Sequence, residues 1–171
     1  MYKNIMRNKN QQRNLGFTLI ELLVVVAIIA LLSSVALIGF LSARQKARDA
    51  KRLGDMTQMN TALELYYSTN KGYPSSSTLG IPGGISPGYA SSLPFAPMPA
   101  DGGCGAMTFD SYDSAVPVGT NAQNYFYYPS GTSYVLNGLT LYPDYSYYFC
   151  LGNQTGNFPG GMHKVTPKGV R

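Results

Sequence analysis

Tryptophan is absent from this 171-residue chain, histidine occurs once and cysteine twice. Each scarcity removes a class of chemistry. Two cysteines cannot by themselves complete a four-ligand zinc site. His163, alone in a Gly/Pro-rich tail, is expected as a solvated surface residue rather than a general base. No nucleophile elbow, phosphate loop or metal-binding histidine pair occurs, so the chain reads as a non-enzyme. Two further absences are local: Leu22 to Leu41 carries no charge, and no proline stands between Phe17 and Tyr73.

What is present begins with a basic leader. Lys3, Arg7, Lys9 and Arg13 account for four of the thirteen Lys and Arg, with no acid among the first sixteen residues. Removing Met1 to Gly16 therefore lowers the formal charge from +5 to +1. A nearly neutral remainder has little charge with which to bind nucleic acid or an anionic surface. Fourteen Tyr, nineteen Gly and eleven Pro suit an exported protein better than a cytosolic one.

The uncharged run of 20 residues would reach about 30 Å as a helix, enough to cross a hydrocarbon core. Three readings fit that length: a secretory signal, with Ser34-Val35-Ala36 as a faint cleavage triplet; a plain single-pass anchor; or a membrane helix with a further use. Glu21 at its mouth argues against the first. A carboxylate at the centre of a membrane helix costs about 2.5–3.5 kcal/mol, so intramembrane charges are usually partnered. If the chain were cut after Gly16, the new amino terminus of Phe17 would lie about one helical turn from Glu21.

Leu15-Gly16-Phe17-Thr18-Leu19-Ile20-Glu21 resembles the processing site of type IV prepilins and of type II secretion pseudopilins. The resemblance implies cleavage after Gly16 by a prepilin peptidase, methylation of the Phe17 amine, and a role for Glu21 in neutralising the terminal amine of a neighbouring subunit. It also implies a helical homopolymer, an inner-membrane assembly platform with its ATPase, and a precursor lodged in the bilayer with its head outside the cytoplasm. The finished location would be an extracellular pilus or an envelope pseudopilus. Ala62 to Tyr67 with Gly72-Tyr73-Pro74 extends the likeness toward the major pseudopilin. A single-pass anchored extracytoplasmic binding protein that forms no filament is the alternative.

Charge alone does not orient the span. The leader's four cations face five just beyond the apolar run, Arg44, Lys46, Arg48, Lys51 and Arg52. The cysteine pair and the family's cytoplasmic peptidase favour a cytoplasmic leader. Asp49 and Asp55 stand among these cations at helical spacing, so the cluster reads as a solvated, ion-paired face rather than a nucleic-acid site.

The expected fold is α+β and pilin-like: a long N-terminal helix packed against a small C-terminal antiparallel sheet, with a long irregular Gly/Pro-rich loop between them. Residues 1–16 form the leader, 17–41 the apolar helix, 42–71 its amphipathic continuation, and 72–171 the head. Ala43, Ala47, Ala50, Leu53, Met56, Asn60, Leu63 and Tyr67 mark the expected inward stripe, with Arg52 and Asp55 off it. Gly72 is the expected C-cap. Gly39, Gly54 and Ser33-Ser34 are candidate bends.

Within the head, residues 72–124 read as loop, pinned by Leu79, Ile81, Ile85, Leu93 and Phe95. Residues 125–150 hold the sheet, with strands at Tyr125–Tyr128, Ser133–Leu136 and Tyr145–Cys150 and a turn at Pro129–Thr132. Residues 151–171 form a tail. The tyrosines, Tyr125, Tyr127, Tyr134 and Tyr147 among them, are expected mainly in core and interface packing. For Cys104 and Cys150 a disulfide is the simplest use, against free thiols or a shared metal. Asp101, Asp110, Asp113 and Asp144 are weak calcium candidates whose ordinary reading is solvated turn aspartates. No other cofactor is expected.

Overall fold

The computed structural model describes residues 16–77, 80–114, 116 and 124–171. The leader cations and Leu79 lie outside the described residues. The chain divides into two compact units, Met1–Phe40 and Leu41–Arg171. One helix, α1 (Leu19–Asn70), contributes to both.

In the first unit the apolar run is helical throughout, and its large side chains are uncovered from Leu19 to Phe40 wherever they are described. Ser34 Oγ bonds back to Leu31 O at 2.7 Å, yet helix assignment continues through both serines and Gly39. The uninterrupted pattern has a local cause: no proline removes an amide donor, and leucine, isoleucine and valine fill nearly every turn.

In the second unit α1 buries Asp49, Arg52, Met56, Met59, Ala62, Leu63 and Tyr66. This face is rotated from the expected one. Ala43, Ala47 and Ala50 are exposed, as is Tyr67, while Arg52 lies on the buried stripe. Bulk explains the shift, because Met59 and Tyr66 remove more apolar surface than an alanine row. The charges at 49 and 52 follow inward because each finds a partner there.

After α1 come β1 (Tyr73–Pro74), β2 (Phe126–Ser130), β3 (Tyr134–Leu136), β4 (Leu139–Tyr142), β5 (Asp144–Leu151), β6 (Gly161–Thr166) and β7 (Gly169–Val170). They form two antiparallel sheets, ordered β1-β4-β3 and β2-β5-β6-β7. The expected three strands are thus seven among the described residues, and the tail at 151–171 carries β6 and β7. Pairing also differs from the expected hairpin around Pro129–Thr132. Tyr127 lies opposite Tyr147, and Pro129 opposite Tyr145 on the β2 edge, where its missing amide proton leaves no ladder gap. The tight hairpin is instead β3–β4, turning at Asn137-Gly138 with φ of 50° and 77°.

Tyr127, Tyr145, Phe149 and Leu141 meet Met56, Met59 and Leu63 in the main core. A second cluster, with Phe109, Val116, Phe126 and Tyr148, surrounds the Cys104–Cys150 disulfide, which ties the 102–105 turn of 3₁₀ helix to β5. Ile85 is fully buried and Leu93 packs on the core, but Ile81 and Phe95 are exposed. Tyr125 and Tyr147 are buried as expected, whereas Tyr134 is exposed on its edge strand. Helix α1 ends one residue earlier than a glycine cap requires: Lys71 takes the left-handed conformation, φ 64°, and Gly72 follows.

Candidate processing and assembly site

Gly16, Phe17 and Thr18 precede the first helical residue. Thr18 is the N-cap: its carbonyl accepts from Leu22 N at 3.3 Å, and its Oγ1 accepts from Glu21 N at 3.3 Å. Glu21 answers by accepting from Thr18 N and Thr18 Oγ1, both at 2.8 Å on Oε2. Together these contacts form a reciprocal capping box. The Thr18-x-x-Glu21 spacing announces it in the sequence, but the expectation for Glu21 concerned its charge alone. The carboxylate therefore has two capacities. Oε2 is engaged by its own helix end, and Oε1 has no protein partner among the described residues. Phe17 is 89% exposed, so the bond from Gly16 to Phe17 lies beside an uncovered side chain.

A second polar cluster sits in the head. Arg48 donates to Asp101 through Nε at 2.7 Å and Nη2 at 2.5 Å, the paired geometry that suits guanidinium and carboxylate. Arg52 donates to Asp49 at 2.6 Å, to Asp101 at 3.2 Å, and to the carbonyls of Pro97 and Pro99 at 2.8 and 3.3 Å. Asp49 also accepts from the amides of Gly152 and Asn153, each at 2.9 Å. Asp49, Arg52 and Asp101 are all buried. Gly152 packs so tightly on Asp101 that an added Cβ would stand 2.6 Å from the Asp101 carbonyl carbon. The hydrogen bonds from Arg48 hold the Asp101 carboxyl below its usual range, with Arg52 helping and burial opposing.

This cluster corrects two expectations. The basic segment is not simply a solvated face, since Arg52 and Asp49 are enclosed, although exposed Lys51 does pair with half-buried Asp55 at 2.9 Å. Asp101 is not a solvated turn residue. Nor do the four aspartates converge. Asp113 accepts from Lys164 at 2.9 Å and Tyr148 at 2.7 Å, while Asp144 caps the amide of Tyr145 at 2.8 Å. Asp110 is half-buried, with Oδ1 unpartnered. Among the described residues no three His, Cys, Asp or Glu gather as a metal site.

His163 is also displaced from expectation. Placed on β6 opposite Phe149, it is buried between Phe149 and Phe158, and Nε2 meets Pro159 O at 2.8 Å. Its strand was hidden because Gly161-Met162-His163-Lys164 lacks strong alternation. The buried tyrosines are likewise committed: Tyr125 donates to Asp55, Tyr73 to Glu64 and Tyr127 to Pro74 O.

Comparison with known proteins singles out the same N-terminal region. The prokaryotic N-terminal methylation motif matches residues 11–37. Type II secretion system core protein G of Escherichia coli is 36% identical over 69 residues, 40% of this chain and 46% of that protein. Its counterpart in Vibrio cholerae is 35% identical over 66 residues, 39% of this chain and 45% of that protein. The type IV wide pilus major component PilA4 of Thermus thermophilus is 42% identical over 60 residues, 35% of this chain and 46% of that protein. The chain spans a little under half the length of these relatives. No solved structure matches.

Proposed function

We propose that this chain, which carries the N-terminal methylation motif and is similar to type II secretion pseudopilins and a type IV pilin, is the structural subunit of a type IV pilus or a secretion pseudopilus. A prepilin peptidase cuts after Gly16 and the Phe17 amine is methylated. The 17–41 segment then leaves the bilayer to pack among copies of itself, driven by an assembly platform and its ATPase, with residues 72–171 outside the cytoplasm. The carrying observation is the methylation motif running into a helix whose apolar side chains have no cover from its own chain. Lipid covers them before assembly and neighbouring helices afterwards.

The capping geometry sharpens the role of Glu21. With Oε2 holding Thr18, Oε1 remains to accept a neighbour's ammonium, so one carboxylate serves both the helix end and subunit register. Mass spectrometry of the native protein should find methylated Phe17 at the amino terminus. Glu21→Ala should still insert and be cleaved but fail to polymerise. Glu21→Gln separates the two capacities, because an amide oxygen can cap but carries no charge. Failure of Gln as complete as that of Ala supports the ion-pair role, and normal filaments from Gln would reject it. An intact leader on a monomeric protein would instead indicate an anchored binding protein.

A further inference from the structure

Two segments of the head close on α1 at the buried ion cluster, and each carries one cysteine of the disulfide. Asp101, which accepts from Arg48 and Arg52, stands three residues before Cys104. The amides of Gly152 and Asn153, which donate one to each oxygen of Asp49, stand two and three residues after Cys150. Between the two segments the backbones touch. A Cβ on Gly102 would collide with the Gly152 carbonyl oxygen, and Gly102 itself takes φ 55°, a conformation open to glycine. The disulfide, the backbone contact and the ion cluster thus form one continuous junction between β5, the 101–105 turn and α1.

The 101–105 turn has little else to hold it there. Cys104 N donates to Asp101 O at 3.2 Å and Ala106 N to Gly103 O at 3.1 Å, bonds that stay within the segment. Among the described residues no ladder joins it to either sheet, and residues 94–100 before it lie outside any helix or strand. Apart from apolar packing around Phe109 and Met162, its hold on the head is the disulfide and the charges. The charges alone make a weak clasp, because the attraction within a buried ion pair does little more than offset the desolvation of its members. An open loop returns those charges to water and regains chain entropy. A covalent link opposes that by keeping Asp101 at high effective concentration beside Gly152 and Asn153.

We propose that the Cys104–Cys150 disulfide is a redox switch on the contact between the head and α1. Oxidised, it keeps Asp101, Gly152 and Asn153 closed around Asp49 and Arg52. Reduced, it lets that contact open locally while the two sheets remain folded, and Arg48, Asp49 and Arg52 return to water on α1. Closure requires the two thiols to give up two electrons and two protons to a disulfide oxidant such as oxidised glutathione, which leaves as two thiols. Cytosolic thiols are kept reduced, so the contact is open in a reducing compartment and closes in an oxidising one. The switch belongs to the head and holds whether or not the chain assembles into filaments. It also differs from the ordinary action of a disulfide, which constrains the unfolded chain and leaves native contacts unchanged.

Nuclear magnetic resonance of the full chain in detergent reads the contact at Arg52, far in sequence from both cysteines. In the oxidised protein the buried Arg52 guanidinium should give resolved, slowly exchanging N–H signals. Reduction with a phosphine should abolish them while the ring signals of core Tyr127 and Tyr145 persist. Arg52 signals that survive reduction overturn the switch, and so does their loss together with the core signals, which is global unfolding. Urea unfolding gives a second reading. The midpoint fall caused by Arg52→Met should shrink to less than about one third in the reduced protein, since a contact already open cannot be lost twice. An undiminished fall, or a reduced variant that no longer folds, rejects the proposal. The Cys104→Ser/Cys150→Ser variant, free of reductant, should match the reduced wild type, and slowly exchanging Arg52 signals in it would likewise reject the switch.

Discussion

Replacing Arg52 by Met should destabilise the head more than any ordinary surface charge substitution. The guanidinium is 3% exposed and donates to two buried carboxylates and to the carbonyls of Pro97 and Pro99. Breaking a buried pair from one side costs about 3–5 kcal/mol, because the remaining charge is stranded. Both carboxylates keep partners here: Asp49 retains the amides of Gly152 and Asn153, and Asp101 retains Arg48. The lower end, about 3 kcal/mol, is therefore appropriate. With a urea slope of about 2 kcal/mol per molar, the unfolding midpoint should fall by roughly 1.5 M. The assay is urea unfolding of the full chain in detergent, followed by tyrosine circular dichroism with the disulfide intact. Asp49→Asn in the Arg52→Met background should cost less than in wild type, since the charge it removes has already lost its cation. Additive effects, or an unchanged midpoint for Arg52→Met, would refute the coupling.

Acid should act on the same cluster. The Asp101 carboxyl is held below its ordinary range in the fold by Arg48, so its contribution is complete above the unfolded value, about 3.9, and is lost as pH falls through the folded one. Wild-type urea midpoints should therefore decline below about pH 4, and Asp101→Asn should flatten that decline. The Cys104→Ser/Cys150→Ser double variant should lose up to about 4 kcal/mol, the chain-entropy value for a loop of this length. The check is its urea midpoint against that of the oxidised parent, and equal midpoints would contradict the tethering role.

Local signals made much of the architecture legible. The apolar run and the end of α1 near Asn70 depend on adjacent residues and follow from hydropathy and the first glycine and proline. The aromatic runs of β2 and β5 were visible because Phe and Tyr cover a pleated surface well. Pairing was not legible. Tyr127 finds Tyr147 twenty residues on, past a hairpin inserted between them, and no local pattern encodes that register. Asn137-Gly138 was the missed clue to β4, and Thr18-x-x-Glu21 to the capping box. The Asp101 ion pair was hidden for another reason: Arg48 and Asp101 are 53 residues apart, joined only after a proline-rich loop folds back on α1.

The position of that ion cluster bears on how far α1 can enter a bilayer. Apolar residues dominate α1 up to Leu41, and Met56, Met59 and Leu63 resume an apolar stripe within the head. Without a break between them the helix would offer two neighbouring greasy segments and a poorly defined point of exit. Arg48, Asp49 and Arg52 supply the break. Before the head folds, these charges need water, and each would cost about 2.5–3.5 kcal/mol at a membrane centre. After it folds, Asp101, Gly152 and Asn153 hold them in place of water. Sliding inward is therefore opposed in both states, first by desolvation and then by loss of a buried network. Glu21 marks the other end of the apolar segment by a weaker device, an exposed carboxylate with one oxygen still unpartnered. The head end of the segment is thus fixed within the chain itself, whereas under the proposed assembly the N-terminal end would become fixed only when a neighbouring copy supplied an ammonium to Glu21.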